Sequence, residues 1–385
     1  MMNSIKNTII HFMFVLAILA NTMALVFKRE GSFIISMGSA IVGITIMTSF
    51  SNFKRIKTTQ LLFALYCIIL LTFSMLPADT IQAQKYLGEH FRWFILAGVG
   101  SLFIVNYKYD YELSMKLLII SSLFIAPVVL TSNYSKFNYY VENDEWMMAI
   151  YNIIPLLVAS ISYQFFGQKT IIKIISVISL VMYFPMFIIH TPRGAVVTIL
   201  FSIIIFTIQK LLTQGVGRKK LITTGIIIIV FMIITFEVIV GYLQNVASLY
   251  ELRWLSKFVF EEDVSNGRTS LYQMALNGFF QSPLWGNGIA SFNNYSIYPH
   301  NLFLQMLYET GVLMFIPVSY LIYKAFMIMI LKRESSIDYR LITFLFIISI
   351  IQLSFSSHFW MRQQFWMLIW IMLSMVPLKN SRRRK

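Results

Sequence analysis

Tyr298-Pro299-His300-Asn301 closes a long polar segment and opens a helix. Proline fixes the approach of the chain. The unsatisfied N–H groups of the helix that follows place partial positive charge beside the imidazole, which disfavours its protonated form. A neutral imidazole can take the proton of an attacking hydroxyl, and such general-base action contributes about 10²–10⁴ in rate. A histidine that merely anchors an interfacial turn fits the same spacing.

Arginines supply the second chemistry. Arg193 lies in His190-Thr191-Pro192-Arg193-Gly194, a tip so tight that the apolar runs on either side must form a helical hairpin. Arg268, in Ser265-Asn266-Gly267-Arg268-Thr269, stands where another helix begins. A guanidinium fork matches phosphate oxygens at two points, and a helix N-terminus adds N–H donors for the same anion. Headgroup anchoring, or pairing with Glu261, Glu262 or Asp263, is the competing reading. Arg92 and Arg362 are weaker candidates at other span ends. His90, His190 and His358 share the face of His300, a clustering that suggests a metal site without the convergence such a site needs.

These groups sit in a chain of 385 residues, 58% hydrophobic and 12% charged, with a mean hydropathy of +0.72. A water-soluble globule does not have that composition. A hydrocarbon core about 30 Å thick needs roughly 20 apolar residues per helix. Such runs recur at 8–27, 31–50, 60–77, 93–107, 113–131, 147–166, 171–190, 194–213, 221–242, 311–331, 341–357 and 364–378. The expected fold is an all-α polytopic membrane protein with about 12 transmembrane helices and one large periplasmic loop holding short helices. Three parts follow: N-terminal spans over 1–242, the loop over 243–310, and C-terminal spans with a basic tail over 311–385.

Charge sets the orientation. With both termini inside, most of the 31 Lys and Arg fall on the inner side, among them Lys54, Arg55, Lys57, Arg218, Lys219, Lys220 and Arg382 to Lys385. Of the 16 acids, only Asp110, Glu112, Glu334 and Asp338 join them. The net +15 is thus a mark of topology against anionic lipid, not of nucleic-acid binding. The first apolar run lacks a small-residue cleavage site and is expected to stay as an anchor. Cys67 is the only cysteine and lies within a span, so disulfides within the chain and thiolate zinc sites are excluded.

The loop over 243–310 is long for a compact protein, and such loops tend to be functional. Helices are expected from about Thr269 to Phe280 and from about Asn301 to Glu309, the second leading straight into the next span. Leu302, Gln305, Met306 and Glu309 share one face, a mixed face suited to a membrane interface. Gly286-Asn287-Gly288 is only a turn signal. Glu261-Glu262-Asp263 reads as a solvated run or a cation site, and Glu237 as a proton-coupling carboxylate or one that reaches water. No internal repeat is visible, which weighs against a transporter of inverted halves.

Gly267-Arg268-Thr269, Pro283-Leu284-Trp285-Gly286-Asn287-Gly288, Tyr298-Pro299-His300-Asn301 and Glu309-Thr310-Gly311 together resemble the signature region of the O-antigen ligase and O-antigen polymerase superfamily. Thr191-Pro192-Arg193-Gly194 resembles its upstream arginine motif. The resemblance implies a fold related to the multispan (type C) glycosyltransferases and a location in the bacterial inner membrane, with the active site periplasmic. It implies a glycan donor on undecaprenyl pyrophosphate, His300 as base, Arg193 and Arg268 on the pyrophosphate, and Arg92, Asn301 and Glu309 as auxiliary candidates. No cofactor and no metal are expected.

Subclass rests on a departure. The ligase branch resembles a pattern running from histidine through a small amide residue to a glycine, then a small residue or tyrosine; His300, Asn301 and Gly311 fit, but Met314 does not. The Tyr-Pro-His-Asn opening and the Ile-, Phe- and Tyr-rich chain look more like polysaccharide polymerases. The acceptor is then another lipid-linked repeat for a polymerase and lipid A-core for a ligase, with a chain-length regulator and a flippase as partners by resemblance. A multispan transporter of an anionic solute is the reading from another class.

Overall fold

The computed structural model describes residues 11–19, 56–75, 94–105, 110–134, 145–190, 192–213, 223, 268–289, 291–292, 299–331, 339–355 and 358–375. The expected spans at 31–50 and 221–242, and Arg92, His90, Glu237, Glu261-Glu262-Asp263, Tyr298 and the basic tail, lie outside the described residues.

Every regular element among the described residues is helical. In chain order they are α1 Thr58–Met75, a π-helical turn Phe94–Val99 running into α2 Gly100–Val105, α3 Tyr111–Tyr134, α4 Glu145–Phe166, α5 Thr170–His190 and α6 Arg193–Thr213. Then come α7 Arg268–Gln281, α8 Leu302–Leu331, α9 Tyr339–Phe346 with a π-helical turn Ile347–Ile351, a 3₁₀ turn Phe359–Met361, and α10 Gln363–Ser374. The tight tip at 190–194 is where α5 ends and α6 starts. There Pro192 gives its carbonyl to the N–H groups of Ala195 (2.9 Å) and Val196 (3.3 Å), and its fixed φ suits the entry to a helix.

The chain divides into two compact units. One comprises residues 115–266 and 330–336. In it α4 packs against both α5 and α6. The buried surface is mainly apolar but includes small hydroxyl residues: Ser160 on α4, Ser176 and Ser179 on α5, and Ser122 on α3. The hydroxyls of Ser122 and Ser179 meet at 2.6 Å, and Ser160 reaches Ser179 at 3.4 Å. On the outside stand Ile171, Ile174, Val177, Ile178, Val181 and Phe184, all exposed. This inverts the pattern of a water-soluble helix. Small hydroxyl residues let helices approach closely where lipid leaves no hydrophobic gain from burial. Among the described residues, Gly194–Thr213 and Leu302–Ile330 are long and apolar enough to cross a membrane.

The other unit comprises 1–114, 267–329 and 337–385. Its core is α10, buried from Gln363 to Met372. Polar side chains tie it to neighbours: Gln364 Nε2 donates to the Ile18 carbonyl at 2.9 Å, Trp370 Nε1 to Gly98 at 2.8 Å, and Gln60 Nε2 to Trp370 at 2.8 Å. Phe94 meets Trp366 and Trp360 edge-on, with centroids 4.8 and 5.6 Å away, the geometry that aromatic quadrupoles prefer.

Candidate functional site

The motif-bearing residues of this second unit are held by a break in α8. Gly311 has φ 59° and ψ −162°, a region open to glycine alone. The expectation that 301–309 leads straight into a span is corrected here: the helix is interrupted, because an unbroken i to i+4 ladder cannot pass through that conformation. Continuing the helix would pair the Tyr308 carbonyl with Val312 N–H and the Glu309 carbonyl with Leu313 N–H. Instead the loop after α7 takes all four groups. Asn287 N–H donates to Tyr308 (2.8 Å) and Gly288 N–H to Glu309 (3.1 Å), while Val312 N–H donates to Pro283 (2.9 Å) and Leu313 N–H to Leu284 (3.4 Å). The motif Pro283 to Gly288 is a backbone clasp across the break. A Cβ on Gly286 would land on the Glu309 and Thr310 backbone, and one on Gly311 would land on the Leu284 carbonyl.

The clasp also orients α7. Gly278 lies against the Tyr308 ring, and five residues later Pro283 bonds Val312. Gly278 and the loop from Pro283 to Gly288 thus hold the C-terminal end of α7 against α8 around Tyr308 to Leu313. Leu271, Met274 and Leu304 pack against the cluster of Ala275, Phe292 and Tyr308. Arg268 is the first residue of α7 and half-buried.

His300 is the only non-glycine residue with positive φ (51°) among the described residues. Asn301 caps α8, its Oδ1 accepting the N–H groups of Phe303 (3.0 Å) and Leu304 (3.1 Å). Histidine tolerates the left-handed region better than most side chains, and buried Pro299 and capping Asn301 flank it. The side chain is thereby aimed by backbone on both sides. Asn301→Ala is expected to lower stability by about 0.5–2 kcal/mol, measurable as a downward shift in thermal unfolding of the purified protein.

Glu309 ends the first half of α8, and it is buried to 1% exposure. Its Oε1 is 3.1 Å from His358 Nε2 and accepts from Gln305 Nε2 at 3.2 Å; its Oε2 accepts from Trp360 Nε1 at 3.3 Å. The expectation that Leu302, Gln305, Met306 and Glu309 form an interfacial face is corrected: all four are buried, because His358 and Trp360 satisfy the acid that would otherwise need water. The segment bearing them continues to Arg362, also buried, which stands at the start of α10. Glu309→Gln puts an amide nitrogen against one of these donors. It is expected to cost about 1–3 kcal/mol, seen as a lowered midpoint in the same thermal assay.

Residues 178–319 match the family model described as O-antigen ligase. That segment is thus similar to the O-antigen ligase and polymerase superfamily, in agreement with the motifs it contains. No curated protein matches the chain. The matched segment starts within α5 and ends within α8, so it takes in Arg193, α7, the clasp, His300 and the helix break.

Within the matched segment Arg268 opens α7, His300 and Asn301 precede the first half of α8 and Glu309 lies in it, and the clasp joins the two helices. Arg193 is the first residue of α6, in the other unit. Sequence reasoning missed Trp360 as a partner of Glu309. The signal was a run dense in aromatic and polar residues, His358-Phe359-Trp360-Met361-Arg362, where a short span was expected to begin. Among the described residues no three His, Cys, Asp or Glu side chains converge on a point that could hold a metal.

Proposed function

We propose that this membrane protein is a surface-polysaccharide polymerase that joins undecaprenyl-pyrophosphate-linked oligosaccharide repeats at the periplasmic face. The family implies a glycosyltransferase acting on lipid-linked glycans. In the reaction, a sugar hydroxyl of one unit attacks the anomeric carbon of the other. Its proton passes to an imidazole nitrogen of His300, the new glycosidic C–O bond forms, and the anomeric C–O bond to pyrophosphate breaks. The electron pair leaves with undecaprenyl pyrophosphate, so no nucleotide is consumed. Arg268 holds that pyrophosphate, and the resemblance of its motif gives Arg193 the same anion. Arg92, Asn301 and Glu309 serve as auxiliaries, the last two by fixing the half-helix behind His300.

The observation that carries this reading is His300 at φ 51° directly before the Asn301-capped start of α8, with Arg268 opening α7, the helix whose other end the clasp bonds to α8. Helix N-termini favour anions, which suits Arg268 to the leaving-group charge and leaves His300 as the base. The alternative is a ligase that transfers finished polymer to lipid A-core. The family's description as O-antigen ligase favours it, and Met314 in place of a small residue or tyrosine counts against it. Gel profiles of surface glycans from cells lacking the protein decide between them. A ladder collapsed to core plus one repeat supports the polymerase. Core alone, with polymer accumulating on its carrier, supports the ligase. An unchanged ladder contradicts both.

A further inference from the structure

The clasp presents an apolar surface that the chemistry does not use. Phe280 is 72% exposed, Trp285 65%, Leu284 58% and Leu276 38%. Leu276 and Phe280 lie one turn apart on α7, and Leu284 and Trp285 follow in the loop. In water this would be a costly patch. It does not stand alone: Leu284 accepts the N–H of Leu313, and from Leu313 the exposed side of α8 continues through Ile316 and Tyr320. That stretch belongs to a helix long and apolar enough to cross a membrane. The patch is therefore the upper rim of a lipid-facing surface. Polar Thr269, Ser270 and Gln273, all exposed, lie toward the other end of α7, while Asn277 and Gln281 are exposed beside the patch.

We infer that Phe280, Leu284 and Trp285 insert into the bilayer at the membrane–water interface, making the clasp a lipid-seated wedge beside α8. An interfacial indole is the side chain that such a boundary favours. The seat fixes the depth of α7, because the clasp is bonded to α8 through four backbone hydrogen bonds and cannot rise without breaking them. The inference rests on the membrane reading of α8 and not on the reaction proposed above.

The test is spin-label accessibility in proteoliposomes, on a Cys67→Ser background because Cys67 is the only native cysteine. A nitroxide on Trp285→Cys or Phe280→Cys is expected to be relaxed more by oxygen than by a water-soluble nickel chelate. One on Gln273→Cys is expected to show the reverse. Chelate-dominated relaxation at both Phe280→Cys and Trp285→Cys overturns the proposal. Should the Trp285→Cys protein not fold, wild type and Trp285→Phe are compared in bilayers of shallow-brominated lipid. A larger fractional loss of tryptophan emission in wild type supports the seat, and equal loss overturns it. Glycan transfer enters neither readout, so failure here and failure of the polymerase reading remain separate.

Discussion

Gly311→Ala is expected to cost this protein more than about 4 kcal/mol, among the largest effects a single substitution produces. Two terms act together. The backbone at φ 59° and ψ −162° strains a residue with a Cβ by about 1–3 kcal/mol, and that Cβ would overlap the Leu284 carbonyl. Relief means pushing Pro283 and Leu284 away, which opens the bonds to Val312 and Leu313 and leaves four backbone groups without partners. Gly286→Ala attacks the same contact from the loop side, so the double variant should cost less than the sum of the singles. Thermal unfolding of the purified protein in detergent measures this, and a Gly311→Ala shift no larger than that of an ordinary surface substitution would remove the clasp from the account.

Helix ends were legible from sequence wherever a single residue dictates them. Pro192 marks the α5–α6 tip, Asn301 caps α8, and α7 at Arg268–Gln281 lies within a residue of its expected limits. The break at Gly311 was not legible. Apolar residues run through it on both sides, and its cause is a loop whose partnership is made only in three dimensions. Glu309 was misread for a related reason. Its helix suggests a mixed interfacial face, while the groups that make it tolerable inside, His358 and Trp360, come from far along the chain. Of the site, His300 and Arg268 were legible only as residue types expected at helix starts, and α7 does begin at Arg268 and α8 just after His300-Asn301. That the loop after α7 bonds to the broken middle of α8 needed the three-dimensional contacts of Gly278 and Pro283.

His300→Ala is expected to lower turnover by about 10²–10⁴, or roughly 3–5 kcal/mol in the barrier, with KM little changed. The proton is accepted only as the hydroxyl attacks, so the lost interaction belongs to the transition state. Alanine alone is an ambiguous probe, because it also sits badly at φ 51°. His300→Asn separates the two effects. Asparagine tolerates the left-handed region but is no base near neutral pH, so this variant should fold as wild type and still be inactive. Asn301 caps the helix through its own side chain, so α8 should keep its start in either variant.

The most direct measurement is release of undecaprenyl pyrophosphate from a lipid-linked oligosaccharide in proteoliposomes, comparing wild type with His300→Asn at matched folding. The wild type is expected to form a glycosidic bond for each carrier released, and His300→Asn to be slower by about 10²–10⁴. Carrier release and bond formation at the wild-type rate in His300→Asn would contradict the assignment of the base and, with it, the account of the site.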